Sequence, residues 1–188
     1  FEYADPPHFK IDDYPFGGGS GMLMKPEPLF RALYHILDID ADALNTRVIF
    51  PTPDGQILCQ KISTELCQFD QLIFINGHYK GIDQRIRDEF VTDEISIGDY
   101  VLTGGELPAM IITDTVVRLI PGVINTMESA ETDSFSDNLL DHPHYTRPEK
   151  YEGLKTPDVL MSGHHRKIAE WRLSEKIKKT KLRRPDLY

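Results

Sequence analysis

Much of the chain repeats apolar residues at the spacing of an α-helix. Within residues 28–37, Leu29, Leu33 and Ile36 fall on one face, which is the pattern of a helix that packs against a core. The same reasoning predicts further helices at 57–67, 82–90 and 108–119. The last of these segments is apolar on all sides, so we expect it to be buried.

Short apolar runs that contain β-branched residues lie between these segments. The runs at 47–50, 72–75 and 100–102 have the length of buried strands. Pro51 in the first case, and Asn76 with Gly77 in the second, supply the turn residues that end a strand. Strands that alternate with helices indicate an α/β domain with a parallel sheet.

The composition changes after Gly122. The residues from 125 onward are acidic and rich in hydroxyl side chains, which predicts a linker. The C-terminal segment regains helical spacing through Trp171 and Ile177, with Ser162 as the expected N-cap. We therefore divide the chain into an α/β domain at 1–124, a flexible linker at 125–143 and a small helical, basic domain at 144–188.

Charge is distributed unevenly along the chain. The formal net charge is −9, yet residues 155–188 contain ten Lys and Arg against four Asp and Glu, so the residues before them carry −15. A basic tail on an acidic body fits a polyanion partner, but it also fits a solvated charged helix. The charge pattern alone leaves both interpretations open.

The cysteine count and the absence of long apolar runs bear on the compartment. Cys59 and Cys67 offer neither a disulfide framework nor a metal-ligand spacing, which indicates a reducing environment, and we expect a cytoplasmic protein. Both cysteines are expected on a helix face as small apolar side chains. No apolar run approaches the ~18 residues that span a bilayer, so no membrane partner is expected.

Two pairs of histidines and one glycine-rich loop were weighed as candidate ligand sites. His142 with His144, and His164 with His165, have no third ligand at a convincing spacing, so we predict no metal site. The loop at 17–21 lacks the Gly-Lys-Ser/Thr sequence that a Walker phosphate-binding loop requires.

The string at 95–109 is neither helical in period nor a simple strand. It contains three glycines and Pro108, so the backbone must bend and approach another group closely. A hairpin would explain an isolated Gly104-Gly105 pair; bare N–H groups at these glycines would also suit a flat ligand such as adenine. The complete string resembles the cofactor loop of the bacterial tRNA (guanine-N1)-methyltransferases of the TrmD type, which belong to the knotted SPOUT class.

Further motifs of that family follow the same order and cover nearly the entire chain. They are the substrate loop at 12–22, the second cofactor-side loop at 76–83, the helix end at 118–123 with the linker string at 129–135, and the segments at 143–148 and 160–165. One departure concerns Lys80, which stands where the family has a glutamate. We transfer no carboxylate role to that position. The resemblance also implies that an N-terminal strand and helix of the family are absent here.

The resemblance implies a fold, an activity and an assembly. The fold would be a parallel-sheet SPOUT domain with a deep C-terminal trefoil knot, followed by a small helical domain. The activity would be methyl transfer from S-adenosylmethionine to N1 of guanine at position 37 of tRNA. The family forms homodimers with composite active sites and is associated with Mg²⁺. The alternatives are a ribose 2′-O methyltransferase of the same class and a non-catalytic RNA-binding fragment.

The matched motifs also imply roles for individual residues. Asp133 would be the general base, and the Arg118 guanidinium would stabilise charge on guanine O6. The expected cofactor-binding residues are Phe50, Pro51, Thr52, Gly77, Ile97, Gly98, Tyr100, Leu102, Gly104, Gly105 and Pro108. The expected substrate-binding residues are Asp13, Gly18, Gly19, Ser129, Arg166 and Lys167.

Overall fold

A computed structural model describes residues 2–39, 45–124 and 133–188. The chain divides into two compact units, Phe1–Val123 and Ile124–Tyr188. No helix in the described ranges is long and apolar enough to cross a membrane.

The first unit is built around a parallel sheet in the order β4-β3-β5, which confirms the α/β prediction. Two short strands form a separate antiparallel pair at its start. The elements of this unit are β1 (Asp12–Asp13), β2 (Leu23–Met24), α1 (Pro26–Ile39), β3 (Thr46–Ile57), α2 (Gln60–Leu66), β4 (Gln71–Phe74), α3 (Gln84–Phe90), β5 (Asp93–Ser96) and α4 (Glu106–Val117).

Strand β3 has a core on each face because successive side chains point to opposite sides of a sheet. Val48 and Phe50 belong to one buried cluster, together with residues of α1 and α3. Ile49 lies between them in sequence and belongs to the other cluster, with residues of α2 and α4. Because helices cover both faces of the sheet, the side chains on both faces of β3 are apolar and do not alternate with polar ones.

The end of β3 differs from the prediction. We expected the strand to stop at Pro51 and a helix to begin at Ile57, whereas β3 continues to Ile57. Pro51 and Gln56 both pair with Ile95, so the residues between them form a wide bulge. Gly55 permits this bulge, since a β-carbon there would lie 2.5 Å from the carbonyl carbon of Glu94.

The strand predicted at 100–102 is wrong. The third strand of the sheet is β5 at Asp93–Ser96, and the chain then bends at Gly98, whose φ is +144°. The apolar pattern did not predict β5, because this strand begins with two acidic residues. Glu94 is nevertheless accommodated there, because Arg87 binds it through two hydrogen bonds.

The cysteines flank α2, and α4 is buried on one side only. Cys59 is the exposed N-cap of α2, contrary to the expectation of an apolar contact, whereas Cys67 packs against the core. On α4, Ile112 and Val116 are buried but Met110 is 66% exposed in this chain. The prediction of a buried helix therefore holds for one face of α4 when the chain is considered alone.

The second unit contains a hairpin in addition to the expected helices. Strands β6 (Lys150–Tyr151) and β7 (Leu154–Lys155) pair across Glu152 and Gly153, which both have positive φ as a two-residue hairpin turn requires. The hairpin is followed by α5 (Asp158–Met161), α6 (His165–Arg183) and a short 3₁₀ turn at Pro185–Leu187.

Ser162 does not cap α6. The N-cap is His164, which makes no capping bond through its side chain. The Ser162 hydroxyl instead donates to the Val159 carbonyl and accepts from the His164 N–H, so it closes the end of α5. Farther along α6, buried Thr180 accepts from the Leu140 N–H at 2.8 Å and ties the segment before the hairpin to the helix.

Candidate functional site

The carboxyl ends of the three parallel strands open into one cavity of about 490 Å³. This is the position at which parallel sheets bind ligands, and the volume lies in the usual range for small-molecule sites. The middle of β3, at 50–54, contributes to its wall together with residues that follow β4 and β5 and with the start of α4. The cavity belongs entirely to the first unit.

All eleven residues expected to bind the cofactor line this cavity. They are Phe50, Pro51, Thr52, Gly77, Ile97, Gly98, Tyr100, Leu102, Gly104, Gly105 and Pro108. They come from three segments of the chain, at 50–52, at 77 and at 97–108, that lie at least twenty residues apart in sequence, so the fold brings them together. Their role towards a cofactor stays a prediction.

The two loops that carry most of these residues touch at Gly105. Its N–H donates to the Gly77 carbonyl at 2.9 Å, so the expectation of a bare N–H at this glycine is wrong. A β-carbon at Gly105 would lie 2.8 Å from the Asn76 α-carbon. Only glycine allows so close a crossing of two backbones.

A side-chain pair joins the same two loops. His78 Nε2 lies 2.6 Å from Glu106 Oε1, and His78 also forms a β-bridge with Gly104. The pKa of Glu106 is lowered, first by the N–H of its own backbone and then by His78. Sequence reasoning missed this pair because 28 residues separate its members.

Arg87 forms a charged cluster at the side of the cavity. It reaches Asp54 in the β3 bulge at 2.7 Å and Glu94 on β5 at 2.7 Å, and its guanidinium lies 5.4 Å from the centre of the Phe50 ring. The hydrogen bonds that Arg87 donates to Glu94 and Asp54 raise the pKa of its guanidinium. The residues are distant in sequence, and no motif indicated the cluster.

The glycine-rich loop joins β1 to β2. Asp13 ends β1, and its carboxylate accepts from the Tyr14 N–H at 2.8 Å. Gly18 and Gly19 have φ of +78° and +119°, and a β-carbon at either would meet nothing within 4 Å. These positions therefore favour glycine because their φ angles are positive, and not because another group lies close to them.

The remaining predicted residues lie outside the cavity wall or in the second unit. Arg118 is the C-cap of α4, whose first turn lines the cavity. Asp133 is described in the second unit, where its carbonyl accepts from the Ser136 N–H. Ser129 lies outside the described residues. Arg166 and Lys167 are exposed in the first turn of α6, and Arg166 pairs with Glu170 at 2.9 Å.

The prediction that His142 and His144 lack a third ligand is wrong. Asp141 completes a group whose ligand atoms lie within 4.8 Å of one another. His144 Nε2 is 2.6 Å from the Asp141 carboxylate, whose pKa is lowered because hydrogen bonds from His144 and the His142 N–H outweigh partial burial. The group is thus satisfied internally by hydrogen bonds.

Known proteins of one family resemble this chain over its full length. The family model of tRNA (Guanine-1)-methyltransferase TrmD matches residues 1–188. A tRNA (guanine-N(1)-)-methyltransferase of Clostridioides difficile (strain 630) is 54% identical over 187 residues, covering 100% of this chain and 80% of that protein. One of Bacillus subtilis (strain 168) is 55% identical over 186 residues, covering 99% and 76%. The chain belongs to the TrmD family of tRNA (guanine-1)-methyltransferases.

Proposed function

We propose that this protein transfers a methyl group from S-adenosylmethionine to N1 of guanine in tRNA, at position 37 beside the anticodon. The observation that carries the proposal is the cavity at the carboxyl edge of the sheet, which is lined by all eleven residues that the family motifs select. The relatives named above are tRNA (guanine-N(1)-)-methyltransferases by name. Transfer RNA and unpaired cysteines both fit a cytoplasmic site of action.

The cavity fits the cofactor in size and in chemistry. Its wall combines apolar side chains, such as Phe50, Leu102 and Pro108, with the backbone of two glycine-bearing loops, a combination typical of sites for a flat base with a polar edge. The bound cofactor supplies the methyl group as an electrophile. The crossing at Gly77 and Gly105 holds the loops in place before binding, which lowers the cost of ordering them.

Asp133 and Arg118 would perform the chemistry on guanine. The lone pair of N1 is delocalised while its proton is present, so a base must remove that proton. Asp133 would accept that proton as the general base. Negative charge then spreads onto O6, where the Arg118 guanidinium would stabilise it.

The crossing of the two loops also supports the trefoil knot implied by the family. Backbones that cross as closely as those at Asn76 and Gly105 are expected where one segment passes through another. The bulge at Gly55, which is pressed against Glu94, is a second close approach in the same region. We propose that the knot lies in the segment that carries the cofactor loops.

A homodimer would explain the outer face of α4. This face presents Leu107, Met110 and Ile111 to solvent, with exposed fractions of 60%, 66% and 43% in the single chain. A contiguous apolar helix face of this kind marks a protein contact. A second copy placed there around a two-fold axis would bury both faces at once and allow the linker of one subunit to serve the cavity of the other.

The C-terminal unit would bind tRNA through α6. The last turns of this helix carry Lys178, Lys181 and Arg183, which are exposed. Basic residues in this arrangement neutralise phosphates and release counterions. Lys176 and Lys179 are less available, because they bind the Asp137 carboxylate and the Asp141 carbonyl.

The described residues do not fit a magnesium site. The cluster that could hold a metal among them consists of Asp141, His142 and His144, and Mg²⁺ prefers oxygen ligands over imidazole. No step of the proposed reaction is therefore routed through Mg²⁺.

The proposal is tested with unmodified tRNA transcripts and S-adenosylmethionine labelled in its methyl group. A transcript with guanine at position 37 should accept the label, and one with adenine at that position should not. Labelling of both transcripts would place the target elsewhere in the tRNA. Labelling of neither, with tRNA and cofactor shown to bind, would favour a non-catalytic RNA-binding role.

A further inference from the structure

Among the described residues that line the cavity of the first unit, one positively charged side chain makes no ion pair or hydrogen bond. Arg87 is neutralised by Asp54 and Glu94, and His78 is bound to Glu106. The Lys80 side chain lines the same cavity, and within the described ranges its ammonium makes no hydrogen bond or ion pair. The Lys80 ammonium can therefore attract an anionic group that enters the cavity.

The backbone holds Lys80 at the boundary between the cavity and the glycine-rich loop. The Lys80 N–H donates to the Met22 carbonyl at 3.0 Å, and the Gly81 carbonyl accepts from the Met24 N–H at 3.1 Å. A β-carbon built at Gly21 would lie 3.0 Å from Lys80 Cγ, so the aliphatic part of the lysine runs beside that loop. Hydrogen bonds thus hold the main chain at Lys80, whereas its ammonium makes none within the described residues.

We propose that Lys80 forms an anion subsite which takes the carboxylate at the amino-acid end of S-adenosylmethionine. The inference rests on the proposed function. The cofactor has one anionic group, and an ammonium offers three donors to a carboxylate. With the adenine end at Gly104 and Gly105, the amino-acid end would extend towards the glycine-rich loop between β1 and β2, beside which Lys80 lies. The family has a glutamate at this position. This chain would therefore meet the amino-acid end of the cofactor with a positive charge where the family presents a negative one.

The test compares two ligands by calorimetric titration of the full chain. The first is S-adenosylmethionine, and the second is its decarboxylated form, which lacks only the carboxylate. Lys80→Met should weaken the binding of S-adenosylmethionine about tenfold, which is the scale of a charge-assisted hydrogen bond. The affinity for the decarboxylated ligand should stay within about twofold of that of the unaltered chain. Lys80→Arg should restore most of the loss. Lys61→Met, a lysine 84% exposed on α2, is the matched control and should change neither affinity.

Three results would overturn the subsite. Equal losses of affinity for both ligands in Lys80→Met would mean that the side chain supports the local structure and does not bind the carboxylate. Unchanged affinity for both ligands, with weaker binding of tRNA, would assign the ammonium to a phosphate of the RNA. If the unaltered chain binds neither ligand, the proposed function itself fails, and the subsite fails with it.

Discussion

At the scale of single residues, the site depends on a glycine that has no room for a side chain. Gly105→Val would push a branched side chain against the backbone at Asn76, 2.8 Å from the position of its β-carbon. We expect this variant to lose the rise in melting temperature that S-adenosylmethionine produces by binding the folded state. Thermal unfolding with and without ligand measures the effect.

Gly17→Ala is the control for that variant. It places a β-carbon where nothing lies within 4 Å, although its φ of +85° adds some backbone strain. It should keep the ligand-induced rise. If Gly105→Val also keeps the full rise, the cofactor binds elsewhere.

The second residue-scale prediction concerns the proton of guanine N1. Asp133→Asn should leave cofactor affinity unchanged and lower single-turnover methylation by about 10²-fold or more, which is the usual effect of losing a general base. Asp137→Asn alters another aspartate of the same unit, one that binds Lys176, and serves as the control. Equal single-turnover rates in the Asp133 variant and the unaltered chain would assign Asp133 no role as the base.

The sequence predicted the residues of the cavity better than it predicted the contacts among them. Gly77 and Gly105 belong to motifs that are recognisable as continuous strings, and each lies in the cavity wall. The contact of Arg87 with Asp54 spans 33 residues, and it depends on the bulge in β3. No local pattern contains that information, because it arises only when the strands pair.

At the scale of elements, Arg87 connects α3 to β3 and β5. Its side chain is 19% exposed and binds two carboxylates, so Arg87→Met would leave both of them without their partner. We expect a loss of about 2 kcal/mol in the free energy of unfolding, below the 3–5 kcal/mol typical of fully buried pairs because Asp54 is largely exposed. Urea unfolding followed by circular dichroism measures it.

Arg85 provides a matched comparison on the same helix. Its side chain is 65% exposed and, among the described residues, pairs with Asp83, so Arg85→Met should leave the free energy of unfolding nearly unchanged, as expected for a surface ion pair. Equal losses in the two variants would show that helix α3, rather than the cluster at Arg87, determines the effect.

Elements were predicted well where the apolar pattern was continuous and poorly where charge interrupted it. The helices at α1, α3 and α4 and the parallel sheet followed from that pattern. β5 was missed because Asp93 and Glu94 begin it, and each has an arginine partner from another element. The apolar run at 100–102 was taken for a strand, whereas the fold uses it as cavity wall.

At the scale of the whole molecule, the exposed face of α4 predicts assembly. Met110→Glu would place a charge in the centre of that face, at a residue 66% exposed in the single chain. The chain should still fold, but a dimer that buries two such charges around a two-fold axis should dissociate. Sedimentation equilibrium at micromolar concentration should give a dimer for the unaltered chain and a monomer for the variant.

Tyr188→Glu is the control for assembly. Tyr188 is similarly exposed, at 64%, but lies at the end of the second unit, and its substitution should leave the dimer intact. A monomeric unaltered chain would contradict the dimer, and a dimeric Met110→Glu variant would move the interface away from α4.

The central claim is that the protein methylates the base, at N1 of guanine, and not the ribose. The most direct measurement is the identity of the product nucleoside. Transfer RNA methylated by the unaltered chain is digested to nucleosides, which are separated and identified by mass. We expect N1-methylguanosine, and none with Gly105→Val, in which the added side chain clashes with the backbone at Asn76. A methyl group on the ribose, or on another position of the base, would contradict the account.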